Sequence, residues 1–309
     1  MVKQMFVIEF QPYHANVSHL ITLTASHHHK DWMYMTIIMR EKAILINYHR
    51  FVKYLRSYIE MTTSKNSLKI DAIETAKSKI PQRAVAKSGV LPKFPFSLML
   101  SGSSGSGKTN LMTNILIKPN LYGGYFHYIV VYSPTANKYD DSYKALKLPD
   151  ENFIEEFGPE SLENLINSRK QLIDEKGIEW VGKNSRVLII LDDIIANRDF
   201  LESQTALTLF ALLRHYLCAI IVMTQSYTKL PRALRLNCNA CAIFPSTQSE
   251  IEVLIKEITP AGISKRNFEK VIDYATSEKY SFLWINRHAD KDKQVRKNLD
   301  TVINLEDFN

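Results

Sequence analysis

From residue 96 onward, short runs of consecutive apolar residues alternate with stretches whose apolar positions recur every three or four residues. Phe96-Ser-Leu-Met-Leu100, Tyr125-Phe-His-Tyr-Ile-Val-Val-Tyr132, Cys218-Ala-Ile-Ile-Val-Met-Thr-Gln225, Ala240-Cys-Ala-Ile-Phe244 and Tyr280-Ser-Phe-Leu-Trp-Ile-Asn286 read as strands. Arg186-Val-Leu-Ile-Ile-Leu-Asp-Asp193 has five apolar residues in a row, the pattern of a strand covered on both faces of a parallel sheet. Helical spacing follows at Leu111, Met112, Ile115 and Leu116, and again at Leu162, Leu165, Ile166, Leu172 and Ile173. It recurs from Gln204 to Leu213, Glu250 to Glu257 and Asn267 to Ala275. This alternation predicts an α/β fold with a mainly parallel central sheet flanked by helices. Residues 135–160 are polar and charged and read as a loop-like insertion.

The first 60 residues carry a different pattern. The apolar stretches Met5 to Phe10 and Trp32 to Met39 lack clear turn residues around them, and acidic residues are scarce. The run His27-His28-His29 has no partner ligands in view and reads as a solvated segment. Met61 opens a polar stretch suited to a start, so we hypothesise that translation begins there and that residues 1–60 are not native; peptides from Val2 to Arg56 in the natural product would refute this. Leu68 to Ile80 has helical periodicity, broken by Pro81, Gly89, Pro92 and Pro95. The expected organisation is an atypical extension over 1–60, a helix and linker over 61–93, a catalytic domain over 94–300 and a tail over 301–309.

Composition changes this picture little. The 309 residues suffice for one large domain and an appendage, and the net charge of +7 permits a polyanionic partner without demanding one. Cys218, Cys238 and Cys241 are an odd, sparse set. The Cys238-x-x-Cys241 spacing has no second pair to complete a metal site, so the three read as reduced cysteines of an intracellular protein. No run of eighteen apolar residues suggests a membrane span, and the N-terminus has no secretory pattern.

Between the first strand and its helix lies Gly102-Ser103-Ser104-Gly105-Ser106-Gly107-Lys108-Thr109, which fits the phosphate-loop pattern G-x-x-x-x-G-K-[ST]. A chance match in a chain this long arises about once in a hundred sequences, and the flanking strand and helix lower that further. The glycines let successive N–H groups turn inward around a phosphate. Lys108 reaches β- and γ-phosphate oxygens, Thr109 offers its hydroxyl to Mg²⁺, and the helix through Thr109 and Asn110 adds its positive dipole end.

The strand ending in Asp192-Asp193 lies about 85 residues further on. In a nucleotide-hydrolysing site the first carboxylate holds Mg²⁺ and the next orients and deprotonates the attacking water. Alone, the same pattern is a strand ending in a polar turn, and Asp193 is shorter than the Glu that many such sites use. Gln225 ends the next strand, where it can hydrogen-bond the γ-phosphate or the water and so report nucleotide state. Arg214 lies between them; it suits either an arginine finger reaching a neighbouring subunit or a surface position at a helix end. His215 is assigned a structural role. Lys229, Arg232 and Arg235 follow Gln225 and suit either a nucleic-acid backbone or a solvated helix face.

The order of phosphate loop, Ile190-Leu-Asp-Asp193, Arg214-His215 and Thr224-Gln-Ser-Tyr227 resembles the FtsK/HerA superfamily of P-loop ATPases. It is most similar to the viral genome-packaging branch of poxviruses, other large DNA viruses, virophages and Maverick-like elements. Tyr280-Ser-Phe-Leu-Trp-Ile-Asn286 and Arg296-Lys-Asn-Leu-Asp300 add to the likeness, which covers about residues 90–300. The resemblance implies a RecA-like core in a ring-shaped homo-oligomer that uses ATP and Mg²⁺ to drive double-stranded DNA, without sequence preference, into a preformed capsid. It implies a location in the virion or at the viral assembly site. It favours Arg214 as a finger acting across subunits and Gln225 as the sensor. The alternatives are a cellular DNA translocase or helicase of the same superfamily, and a nucleotide-switched assembly protein that turns over slowly.

Overall fold

A computed structural model of the chain describes residues 75–133, 141–155, 158–193, 201–202 and 204–309, with the backbone of residues 6–12, 18–26 and 32–40. The chain forms two units, residues 1–73 and 74–309. In the first, β1 (Phe6–Pro12), β2 (Ser18–Ser26) and β3 (Trp32–Arg40) form an antiparallel sheet in the order β1-β2-β3. The two apolar stretches near the start of the chain are its outer strands. The His27–His29 run, Met61 and most of the helix expected from Leu68 to Ile80 lie outside the described residues; Ala76–Lys79 forms a 3-10 turn.

The second unit opens with a segment that packs rather than links. Leu91 and Phe94 are buried, and Trp284 Nε1 donates to the carbonyl of Val90. Then come β4 (Ser97–Ser101), α1 (Lys108–Ile117), β5 (Tyr128–Tyr132), α2 (Asp141–Lys144), β6 (Phe153–Ile154) and α3 (Pro159–Lys176). They are followed by β7 (Val187–Asp192), α4 (Gln204–Leu213), β8 (Cys218–Thr224), α5 (Arg232–Asn237) and β9 (Ala240–Ile243). The unit closes with α6 (Gln248–Ile258), α7 (Lys265–Ala275), β10 (Leu283–Asn286), β11 (Val295–Lys297) and β12 (Thr301–Val302).

The strands form one sheet in the order β12-β11-β10-β9-β4-β8-β7-β5-β6. The six from β9 to β6 are parallel; β10, β11 and β12 run antiparallel. This is the α/β, RecA-like arrangement that the apolar pattern and the resemblance lead one to expect. Burial on both sides explains the unbroken apolar runs. Val187, Ile189 and Leu191 face Leu162, Ile166, Phe210 and Leu213 of α3 and α4, while Leu188 and Ile190 face Met112 and Ile115 of α1.

Two stretches differ from expectation. The polar insertion at 135–160 contains α2 and the edge strand β6. The mixed-charge stretch from Arg287 onward contains β11 and β12, and Leu305 and Phe308 beyond them pack against the core.

Candidate functional site

Register gathers the candidate residues. Ser101 of β4 pairs with Thr224 of β8, and Asp192 of β7 pairs with Met223. Gly102 and Gln225 are therefore the first residues beyond the Ser101–Thr224 row, and Asp193 the first beyond the Leu100–Met223–Asp192 row one step earlier, so all three lie at the carboxyl edge of the sheet, where open α/β folds bind ligands. Backbone bonds fix the exits: Gly102 N–H donates to Thr224 O at 3.1 Å, and Asp193 N–H to Met223 O at 3.4 Å.

The phosphate-loop pattern has local reasons. Gly107 has φ of 105° and Gly105 of 73°, a region costly for side-chain-bearing residues. A Cβ on Gly102 would stand 2.6 Å from Phe244 Cβ, so only glycine lets the loop lie against that ring. Ser103 and Ser104 are exposed, and Ser106 Oγ is buried with no hydrogen-bond partner among the described residues. The first turn of α1, carrying Thr109 and Asn110, has Gly107 as its cap and no side-chain acceptor for its N–H groups. An uncapped helix start, glycines in the left-handed region and an orphaned hydroxyl suit an anion. Lys108 Nζ donates to Gly102 O at 2.6 Å and Ser103 O at 2.9 Å. Burial pushes its ammonium below the usual lysine value, while Asp192 and Asp193 push it back up.

The two carboxylates are held differently. The buried Tyr143 of α2 donates its hydroxyl to Asp192 Oδ2 at 2.6 Å, and Thr113 of α1 anchors α2 by donating to Ser142 O at 2.9 Å. Asp193 has φ of 50°, the left-handed region, and its Oδ2 accepts from Gln225 Nε2 at 2.9 Å. Tyr143 has little signal in the sequence, being one of several aromatics in a charged stretch. The hard oxygen donors of Thr109 and Asp192 suit Mg²⁺ bound jointly with phosphate. Among the described residues no group of three His, Cys, Asp or Glu could hold a metal alone.

Arg214 stands apart. It lies in the turn between α4 and β8, at the opposite edge from Gln225, and the seven residues of β8 span about 20 Å. It has no hydrogen-bond or ion partner among the described residues. Its charge, after burial, lowers the Lys77 ammonium and the His288 imidazole. His215 is exposed, with Nδ1 3.4 Å from Lys77 Nζ, and is no core residue.

The basic segment after Gln225 is corrected in part. Lys229 is exposed and the Arg232 side chain is 70% exposed, but Arg235 is buried. Arg235 donates Nη2 to Glu257 Oε1 at 2.7 Å and Nε to Glu257 Oε2 at 3.0 Å, so it neither faces solvent nor reaches nucleic acid. Cys218, Cys238 and Cys241 are free and buried; burial pushes the Cys238 thiol up to about 12 and the Cys241 thiol to about 11. Among the described residues no helix is long and apolar enough to cross a membrane.

The family model described as "Poxvirus A32 protein" matches residues 85–308. The chain belongs to the poxvirus A32 protein family. This A32-family chain is 29% identical to the "DNA packaging protein OPG160" of variola virus over 180 residues, 57% of this chain and 62% of that protein. The vaccinia virus (strain Western Reserve) protein of that name matches equally, and the monkeypox virus one is 28% identical with 56% of its length covered. The match thus spans less than two-thirds of these relatives. Among solved structures, the genome packaging NTPase B204 from Sulfolobus turreted icosahedral virus 2, in complex with ATP-gammaS, is 17% identical with a TM-score of 0.45, over 62% of this chain and 92% of that one.

Proposed function

We propose that the chain is a Mg²⁺-dependent ATPase motor that translocates double-stranded DNA into a viral capsid. The observation that carries this reading is the convergence of Lys108, the uncapped start of α1, the Asp192–Asp193 pair and Gln225 on one sheet edge. Membership of the A32 family and likeness to poxvirus proteins named for DNA packaging support the assignment to genome packaging.

In this mechanism Lys108 exchanges the carbonyls of Gly102 and Ser103 for β- and γ-phosphate oxygens, while the N–H groups from Ser103 to Asn110 surround the phosphates. Thr109 and Asp192 would hold Mg²⁺, which would supply charge neutralisation to the phosphates. Tyr143 orients the Asp192 carboxylate. Asp193 takes the proton of the attacking water, with Gln225 holding both in line. Loss of the γ-phosphate then moves Gln225. The segment behind it is tied to α6, because Ser226 bonds Glu250 and Tyr227 donates to Glu257 Oε2 at 2.9 Å. Movement therefore passes to α6 as a unit, and Lys229 and Arg232 are the segment's surface cations for the DNA backbone. Arg214, remote from its own site, acts on the γ-phosphate of the next subunit in a homo-oligomeric ring. The setting is the virion or the viral assembly site, with the capsid as partner.

Steady-state ATP hydrolysis by the full chain, with and without Mg²⁺, tests the catalytic part. Mg²⁺-dependent turnover that Lys108→Ala abolishes is expected; equal turnover by that variant would contradict it.

A further inference from the structure

A cavity of about 400 Å³ adjoins the phosphate loop on the β9 and β10 side of β4, opposite β8 and β7, and its wall includes Gly107, Asn110, Phe244, Tyr280, Asn298 and Asp300. Its size falls within the range of small-molecule sites. Because Gly107 and Asn110 belong both to this wall and to the start of α1, the cavity is continuous with the phosphate cradle. A Cβ on Gly107 would lie 3.5 Å from Tyr280 Cδ1 and 3.6 Å from Phe244 Cε1, so both rings stand directly over the loop.

The two rings differ in what they can offer. Phe244 is buried and packs on Phe282 with ring centroids 5.1 Å apart, which makes it a floor. Tyr280 is 57% exposed and held at φ of 68°, a conformation that bulky residues rarely adopt. Burial does not explain a large aromatic kept there. Lys279 Nζ lies 5.0 Å from its ring centroid, an exposed contact weak enough for a flat ring to displace.

Polar groups complete the wall. Asn298 is locked to the chain: its N–H donates to Phe282 O at 2.9 Å and its Oδ1 accepts from Phe282 N–H at 3.2 Å. Its side-chain amide donors have no acceptor among the described residues. Asp300 is exposed and brings a carboxylate acceptor, matched to hydroxyl donors such as those of a ribose.

We infer that this cavity is the nucleoside subsite, taking a purine base against the Tyr280 ring and the ribose beside Asp300. The inference rests on the phosphate-loop reading above. It assigns discrimination between a nucleotide and a bare polyphosphate to Tyr280, about 170 residues beyond the loop. A purine offers the ring more area than a pyrimidine, so ATP binds more tightly than CTP.

The test is calorimetric titration of the full chain with AMPPCP and, separately, with inorganic tripolyphosphate, both with Mg²⁺. Tyr280→Ala should weaken AMPPCP binding by about 10-fold or more and leave tripolyphosphate binding unchanged. Tyr280→Phe, which keeps the ring, should bind AMPPCP as the natural chain does. Lys108→Ala should weaken both ligands. Unchanged AMPPCP affinity in Tyr280→Ala, beside intact tripolyphosphate binding, would overturn the subsite and spare the phosphate loop. Failure of the natural chain to bind either ligand would overturn the phosphate-loop reading, and the subsite with it.

Discussion

Gln225 Nε2 donates to Asp193 Oδ2 at 2.9 Å, joining the ends of two neighbouring parallel strands. The carboxylate expected to activate water and the amide expected to report the γ-phosphate are thus one hydrogen-bonded unit. Asp193→Asn should lower turnover by about 10² to 10⁴-fold while leaving nucleotide affinity intact. Gln225→Ala should cost less alone, and little more when added to Asp193→Asn, because the two act together. Single-turnover kinetics of the three variants measures this; additive losses would separate the residues.

Tyr143 is a positioning residue with a distinct signature. Removing its hydroxyl takes away one hydrogen bond that orients the Asp192 carboxylate, so Tyr143→Phe should raise the Mg²⁺ concentration for half-maximal turnover about 10-fold. A Mg²⁺ titration of activity reads this directly. A fall in turnover at every Mg²⁺ concentration, with no shift in the midpoint, would point to a general structural defect.

The Arg235–Glu257 pair sits under the segment that follows Gln225, with both side chains 7% exposed. Glu257→Ala leaves a buried guanidinium without its counter-charge, with only the Thr228 and Leu230 carbonyls as acceptors among the described residues, and should cost about 3 kcal/mol in urea unfolding. Burial pushes the Glu257 carboxyl up, but hydrogen bonds from Arg235 and Tyr227 outweigh it and leave the group below its ordinary 4.5. Its contribution is therefore complete above that ordinary value and lost as pH falls through the folded value. Unfolding midpoints measured from pH 6 downward should converge between the natural chain and the variant.

Arg214 yields a complementation test. Arg214→Ala should lose about 10³-fold in turnover if it acts on the adjacent subunit's nucleotide. Mixing it with Lys108→Ala should restore activity, since one variant keeps its phosphate loop and the other its arginine. A mixture as inactive as its parts would rule this out.

The site was legible where chemistry follows a short sequence pattern. The phosphate loop and the apolar runs before Asp192 and Gln225 fix residue type and spacing locally, and strand register does the rest. Tyr143 was not legible, because its partner lies 49 residues away and its own four-residue helix has no periodicity to read. The hairpin of β11 and β12 was hidden for another reason. Arg296 and Lys297 are buried there, Lys297 pairing with Glu278 at 2.6 Å, and cations in strands of two or three residues carry no alternating apolar pattern to read. Arg235 misleads similarly: its carboxylate lies 22 residues downstream, and without it the arginine reads as a surface cation.

The central claim is that ATP turnover drives DNA. The direct measurement is ATP hydrolysis by the full chain with and without double-stranded DNA of unrelated sequences, at low and moderate salt, with Lys108→Ala as the blank. The account predicts stimulation by duplex DNA of any sequence, fading as salt rises and absent in the variant. Turnover indifferent to DNA at every salt concentration would contradict it and favour a nucleotide-switched assembly protein.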